Sequence, residues 1–334
     1  MGPSSSPYWA MTFSIVAALG PRCGVAVASK FLAVGNTVPA VGPFGAVATQ
    51  AAAKVSFKPD LLALLAQGVP VHQALAKVLA ADPGSDDRQV GVVALGGGDD
   101  GGAGAGGGAA ASHTGAGCYP WAGGVTGVAA DGAVYAIQGN VLAGPQVVAA
   151  VEAAFCAAAA ESGSDAEPEA GWDEEPGAAG AAFVRRLVAA LLAGDRAGGD
   201  RRGRQSAAVL AHEEGSGYDG SGVLADLRVD DHTDPVPELA RLVDLSELYF
   251  GRPEGVQPLT GELLTEVAAR LRALGHEVSA EPALHPDRPD PAVVDLALGA
   301  WAGMENLETR LVPGGIDARV LTALRAATPA PADG

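Results

Sequence analysis

Regular alternation of apolar and small residues begins at residue 12. Thr12 to Ala17 (Thr-Phe-Ser-Ile-Val-Ala), Gly24 to Lys30 (Gly-Val-Ala-Val-Ala-Ser-Lys) and Val41 to Gln50 are short runs bounded by Gly or Pro. Such runs read as strands covered on both faces, and Gly20-Pro21 between the first two predicts a hairpin followed by a third strand. Helical spacing comes next. Leu61, Leu62, Leu64 and Leu65 lead into Gly68, and after Pro70 the residues Val71, Ala74, Leu75, Val78 and Leu79 fall at i, i+3, i+4, i+7 and i+8, so two helices are expected. Strands are predicted over 89–95, 111–114 and 134–138. Between the last two, Tyr119 to Gly124 is too rich in Gly and Pro for regular structure. Pro145 opens a helix carrying Val147, Val148, Val151 and Phe155. Another, over 181–192 with Phe183, Leu187, Val188 and Leu191 on one face, is stopped by Gly194. Strands over 205–211 and 224–229 and a helix with Leu239, Leu242, Val243 and Leu248 complete this part. Grouped strands and grouped helices suit helices packed outside a sheet sandwich, not a βαβ alternation.

The pattern changes beyond Gly251. Residues 252–258 read as a linker, and 259–328 as a small helical domain of three helices, two of them entered at Asp290-Pro291 and at Asp317. The expected organisation is a disordered extension over 1–10, a main α+β domain over 11–251, the linker and the helical domain. A Gly/Ala-rich loop at 96–110 and an acidic disordered loop at 162–178 are expected as insertions.

Composition narrows the function. The formal net charge is −18, from 21 Lys and Arg against 39 Asp and Glu, which argues against a nucleic-acid partner and against a membrane surface. Hydrophobic residues make up 48%, but the excess is alanine and no run of about 18 uncharged apolar residues occurs. Cys23, Cys118 and Cys156 are odd in number and have no metal-ligand spacing, which fits a reducing cytoplasm. The first ten residues lack the basic and apolar regions of a secretion signal. No cofactor is expected, since Gly96 to Gly108 precedes no helix that would cradle a phosphate. No metal is expected either: Asp230, Asp231 and His232 are consecutive on a strand and point to alternating faces.

Thr12 carries the candidate chemistry. It follows Met11 directly, and loss of that Met would leave a threonine with a hydroxyl nucleophile and an α-amine of pKa about 8 as its own base. An amide nitrogen in an uncleaved chain has no such basicity, so either translation starts at Met11, which is the expectation, or the Met11-Thr12 bond is cut autocatalytically, or the protein is inactive. Asn140, after Gln138 and Gly139 on a tight corner, is the candidate oxyanion donor, or else a turn asparagine bonded to its own backbone. Ser29 and Lys30 end the strand beside Thr12; Lys30 would lower the amine pKa or orient the hydroxyl, or simply be a solvated strand-end lysine. Thr49 and Gln50 are expected to line the same pocket. Asp200, Arg201, Arg202 and Arg204 form a dense basic cluster with Gln205 behind it, suited either to a substrate carboxylate or to ion pairs with Asp230 and Asp231. His113 and Trp121 read as packing or pocket wall.

The runs at 12–17, 24–30 and 45–50, with Gln138 to Gly144, Gly199 to Ala208 and Asp226 to His232, resemble the ordered blocks of the DUF1028 family, placed in the N-terminal-nucleophile (Ntn) hydrolase superfamily. The resemblance covers Met11 to Phe250. It implies a four-layer αββα sandwich and, at superfamily level, hydrolysis of an amide-type bond in a small-molecule substrate through an acyl-enzyme ester. Residues 315–321 resemble the closing motif of a peptidoglycan-binding-like module, which implies a peptidoglycan fragment as a partner. The rival readings are a non-catalytic binding protein, and helices that merely cap the main domain or join a homo-oligomer.

Overall fold

A computed structural model of the chain describes residues 12–96, 108–162, 178–280 and 288–328. The expected extension over 1–10, and most of the Gly/Ala-rich and acidic loops, lie outside the described residues. The chain divides into two compact units, Met1–Val243 and Asp244–Gly334.

The first unit is α+β. Its elements run β1 (Thr12–Leu19), β2 (Arg22–Ser29), α1 (Val34–Thr37), β3 (Pro39–Gly42), β4 (Gly45–Ala51), α2 (Phe57–Ala66), α3 (Val71–Ala80), β5 (Arg88–Ala94), β6 (Ala109–Thr114), β7 (Ala122–Val128) and β8 (Val134–Asn140). Then follow α4 (Gln146–Ser162), α5 (Ala178–Arg196), β9 (Ser206–Glu213), β10 (Val223–Val229) and α6 (Pro235–Phe250), within which the division into units falls. A six-stranded sheet has the order β10-β9-β2-β1-β8-β7 and a four-stranded sheet the order β3-β4-β5-β6. Every neighbouring pair is antiparallel.

Alternation along each strand divides its side chains between two layers. Phe13, Ile15 and Ala17 of β1 pack with Val147, Val151 and Phe155 of α4 and Leu187 and Leu191 of α5. Val16 and Ala18 point the other way, into a cluster with Val25, Val27, Ala46, Ala48 and Val93 between the two sheets. On the far side, Val47, Val90 and Val92 meet Leu61, Leu65, Leu75 and Val78 of α2 and α3. Helices therefore cover the outer face of each sheet.

Three local expectations fail for identifiable reasons. Val41 to Gln50 is not one strand but the hairpin of β3 and β4, because the chain reverses between Gly42 and Gly45. Residues 122–128 form β7 despite their glycines. The Tyr135 hydroxyl lies 2.3 Å from where a Cβ at Gly127 would stand, so that strand needs glycine to admit the ring. Gly194 does not stop α5: a Cβ there would lie 2.5 Å from Val151 Cγ2 and 2.9 Å from Phe13 Cε2. That glycine serves close helix-to-sheet packing inside the helix.

At one end of the inter-sheet layer the apolar filling gives way to amides and hydroxyls. The same faces that carry Val16, Ala48, Val93 and Val134 continue to Ser14, Gln50, Gln89 and Gln138, all fully buried. Gln138 Nε2 donates to Ser14 Oγ at 2.6 Å, and Ser14 Oγ donates to Gln50 Oε1 at 2.7 Å. Gln89 Oε1 accepts from Gln50 Nε2 at 2.8 Å and from Asn140 Nδ2 at 3.0 Å. Its own Nε2 donates to Thr114 Oγ1 at 2.9 Å and to the carbonyls of Gly139 at 2.9 Å and Gly123 at 3.2 Å. Gln89 thus joins β4, β6, β7 and β8 from β5.

The second unit contains α7 (Gly261–Ala273), α8 (Pro291–Met304) and α9 (Ala318–Ala327), with β11 (Gln257–Pro258) paired to β12 (Gly315–Ile316). The segment read as a linker therefore carries a short strand. Val267, Leu271, Val294, Leu298, Trp301, Leu321 and Leu324 form its core. Asp290 caps α8 through the N–H groups of Ala292 and Val293, as its position before Pro291 predicts. Asp317 caps α9 through Arg319 and Val320, and also takes both arms of the buried Arg310 guanidinium at 3.0 and 3.1 Å. Burial pushes the Asp317 carboxyl up, but Arg310 and the N–H groups of Glu254 and Val320 outweigh it and hold the group below the usual carboxylate range.

Two outcomes follow. Gln89→Leu removes the acceptor of two buried donors and should lower the urea midpoint by an amount equivalent to about 1–3 kcal/mol; an unchanged midpoint would show that the network does not hold the sheets together. Asp317→Ala leaves the buried Arg310 guanidinium, among the described residues, with only the half-exposed Glu254 carboxylate as an ion-pair partner, at 3.2 Å, and removes the α9 cap; it should destabilise the second unit by about 3 kcal/mol. Because the folded pKa of Asp317 lies below its unfolded value, its contribution is complete above that unfolded value, about pH 4, and is lost as pH falls through the folded one. Wild-type thermal melts of this unit should show that decline, and the Asp317→Ala protein should show less of it.

Candidate functional site

The polar end of the inter-sheet layer is where β1 begins. Thr12 stands opposite Ser29 of β2, and its neighbour Phe13 stands opposite Gly139 of β8. Thr12 Oγ1 donates to Ser29 Oγ at 3.2 Å. The Thr12 carbonyl accepts from Gln50 Nε2 at 3.1 Å, and from Asn140 Nδ2 at a long 3.5 Å. Side chain and backbone of this residue are thus held from β2, β4 and β8, across both sheets. In the intact chain Thr12 is fully buried, and Ser29 and Asn140 nearly so.

Asn140 is not a turn asparagine bonded to its own backbone. One amide N–H belongs to Gln89 Oε1, and the other is only weakly held by the Thr12 carbonyl. The next residue, Val141, has φ 52°. A β-branched residue in the left-handed region costs on the order of 1–3 kcal/mol and persists only where its surroundings fix it. Here the Val141 N–H donates to Tyr119 O at 3.2 Å and the Val141 carbonyl accepts from Arg201 N at 3.1 Å; Leu142 bridges to Asp200.

The basic loop is mostly neutralised within itself. Asp200, buried, accepts from the Lys30 N–H at 2.9 Å and the Arg202 N–H at 2.9 Å, and from Arg202 Nε at 3.1 Å and Nη2 at 2.7 Å. Arg204 Nε donates to Asp195 Oδ1 at 2.7 Å, a carboxylate that raises the arginine pKa further. These partners replace the ion pairs with Asp230 and Asp231 considered from sequence, although Gln205 does donate to Asp231 at 3.1 Å. Among the described residues the exposed Arg201 guanidinium has no ion pair.

Two further expectations are corrected. Lys30 Nζ donates to Arg204 O at 3.2 Å, so the ammonium is directed to the loop and not to the Thr12 hydroxyl. Thr49 points to the α2 face like Val47, its Oγ1 donating to Lys54 O at 3.4 Å, because adjacent strand residues face opposite ways. Only Gln50 of that pair reaches the site. Gln138 joins through Ser14, and Gly139 through its carbonyl.

Ser14 and Gln89 are the members that sequence reading missed. Their one local signal is a polar residue on the inward side of an otherwise apolar strand, at the parity of Val16 and Val93. Cys23 is no rival nucleophile, since burial raises its thiol pKa to about 12. His113 Nε2 contacts Ser85 O at 3.0 Å and Trp121 packs against the α4 and α5 core. Among the described residues no group of three His, Cys, Asp or Glu could hold a metal ion, and no helix is long and apolar enough to cross a membrane.

Comparison with known proteins adds the lineage. Residues 249–324 match a family model described as "Putative peptidoglycan binding domain". The chain is similar to a crystal structure of a Silicibacter pomeroyi protein assigned to DUF1028, at 26% identity and a TM-score of 0.53, the match covering 76% of this chain and 92% of that one. No curated protein matches. Residues 12–239, which carry every strand of both large sheets, match the model described as "Family of unknown function (DUF1028)", and the chain belongs to that family.

Proposed function

We propose that the chain is an N-terminal-threonine amidohydrolase of the Ntn type, with Thr12 as nucleophile once its amine is free. The observation that carries this reading is the hold on Thr12. Its hydroxyl lies on Ser29 and its carbonyl is fixed by Gln50 from the opposite sheet, so its side chain and its main chain are both positioned. The layering of helices outside two facing sheets supports it as well.

The free amine of Thr12 takes the proton of Oγ1 as Oγ1 attacks the carbonyl carbon of the amide. The tetrahedral oxyanion is met by the Asn140 N–H that is only weakly held at 3.5 Å; one such donor contributes about 2.7–4 kcal/mol where it has been measured. The ammonium returns the proton to the leaving nitrogen, the C–N bond breaks, and an ester on Thr12 remains. Water, deprotonated by the same amine, cleaves the ester, releasing the acid and restoring the hydroxyl.

A second reading, favoured by the match over 249–324, is a binding protein whose second unit holds peptidoglycan fragments. Co-sedimentation of the full chain with purified sacculi, compared with a chain ending at Val243, tests it; equal recovery of the two would remove that role.

N-terminal sequencing of active protein should find Thr12 first. Thr12→Ala should abolish hydrolysis of small amides, a fall of 10⁴-fold or more being on the order seen when a nucleophile is removed, with an unchanged circular dichroism spectrum. Thr12→Ser should retain activity. Full turnover by a chain with a blocked or preceded Thr12 would rule the mechanism out, because an amide nitrogen cannot accept the proton.

A further inference from the structure

The basic loop separates into committed and uncommitted charge. Arg202 is engaged by Asp200 and Arg204 by Asp195, each at 2.7 Å, and both carboxylates are buried, so neither arginine is released without stranding a charge. Arg201 lies between the anchored residues with its side chain exposed and, among the described residues, without an ion pair. Its backbone does not wander: its N–H donates to Val141 O at 3.1 Å, and Asp200 before it takes the Lys30 N–H at 2.9 Å.

These two attachments fix the backbone from which the Arg201 side chain extends. Val141 follows Asn140, whose amide reaches the Thr12 carbonyl, and Lys30 follows Ser29, which accepts the Thr12 hydroxyl. The loop is therefore fastened to the ends of the two strands that flank Thr12, one attachment on each side. In a chain of net charge −18, a rigidly based guanidinium at this position attracts an anion against the surrounding field. The planar fork of arginine fits a carboxylate through two parallel N–H donors.

We propose that Arg201 is a specificity-determining residue that holds a carboxylate of the substrate, so that the amide cleaved belongs to a molecule bearing a free carboxylate near the scissile carbonyl. This rests on the hydrolase reading for its chemistry, but the carboxylate site itself does not. Arg202 and Asp200 are the frame of the site and Arg201 is its contact.

Glutarate and the uncharged glutaramide serve as probes, titrated calorimetrically into the chain beginning at Thr12 and into its Thr12→Ala, Arg201→Gln and Arg201→Lys variants. Glutarate should bind the first two proteins and glutaramide should bind at least tenfold more weakly. Arg201→Gln should raise the glutarate Kd by about tenfold or more, as expected for loss of a charge-assisted pair. Arg201→Lys should recover only part of it, because an ammonium lacks the fork. Equal affinity for the two probes, no glutarate binding, or a Kd unmoved by Arg201→Gln overturns the proposal. Turnover is measured separately: Arg201-dependent glutarate binding without hydrolysis of any amide would keep the carboxylate site and reject the hydrolase, and hydrolysis indifferent to Arg201→Gln would do the reverse.

Discussion

Four side-chain amides and a serine hydroxyl buried between two sheets hydrogen-bond to one another and to strand carbonyls, with Gln138 Oε1 left without a partner among the described residues, and the first unit is arranged around that network. Ser14, Gln50, Gln89, Gln138 and Asn140 come from β1, β4, β5 and β8, so the network closes only when both sheets are paired in register and correctly stacked. Slippage of one residue in β4 would turn Gln50 toward α2 and bring Thr49 inward. An apolar layer of valine and alanine tolerates small shifts at modest cost, whereas amides buried in low dielectric do not. The polar end therefore fixes the geometry that the apolar end merely favours. It also transmits position across the sandwich, since Gln50 on the four-stranded sheet holds the carbonyl of Thr12 on the six-stranded one.

That division explains what the sequence made legible. Strands and helices with clean periodicity, such as β1, β2, α3 and α7, could be read because burial of one face dictates the spacing. The short hairpin at β3 and the edge strand β7 could not: the reversal between Gly42 and Gly45 falls inside one apolar run, and the glycines of β7 hide a strand in which Gly127 makes room for Tyr135 of β8. In α5, Gly194 likewise answers to Val151 and Phe13. Within the candidate site, Thr12 stood out because it follows Met11, Asn140 by its tight corner after a strand, and Ser29 and Gln50 as polar residues ending apolar runs. Gln89 carried the same local mark, but its importance lies in pairing β5 with partners up to 51 residues away, which no local pattern encodes. Thr49 and Lys30 failed for a simpler reason, since adjacency in sequence is not convergence in space.

Charge density is likewise a poor guide to charge availability. The chain is strongly acidic, yet several of its arginines lie close against buried carboxylates or aromatic rings: Arg310 with Asp317, Arg202 with Asp200, and Arg186 between Asp131 and the Phe155 ring, 3.8 Å from its centroid. A carboxylate removed from water must have a partner, so each buried Asp commits an arginine to structure. A cluster that reads as a recognition surface thus resolves into a scaffold in which, among the described residues, Arg201 alone of the cluster's arginines has no ion pair.

A nucleophile that carries its own base relieves the fold of one task and leaves it another. Serine and cysteine enzymes bring a separate base, often a histidine, to the nucleophile, whereas a terminal threonine supplies its own amine. What the fold must then supply is orientation of the main chain, because amine and hydroxyl are related through the same Cα and rotate with it. In the proposed mechanism the Thr12 carbonyl, held by Gln50 and approached by Asn140, would be the handle for that orientation. Contacts from three strands on Thr12 exceed what sheet pairing alone requires, and a strand end with no role would be expected to fray. The strain at Val141 points the same way: a costly conformation beside Asn140, secured from two loops, is retained where the placement of that amide matters.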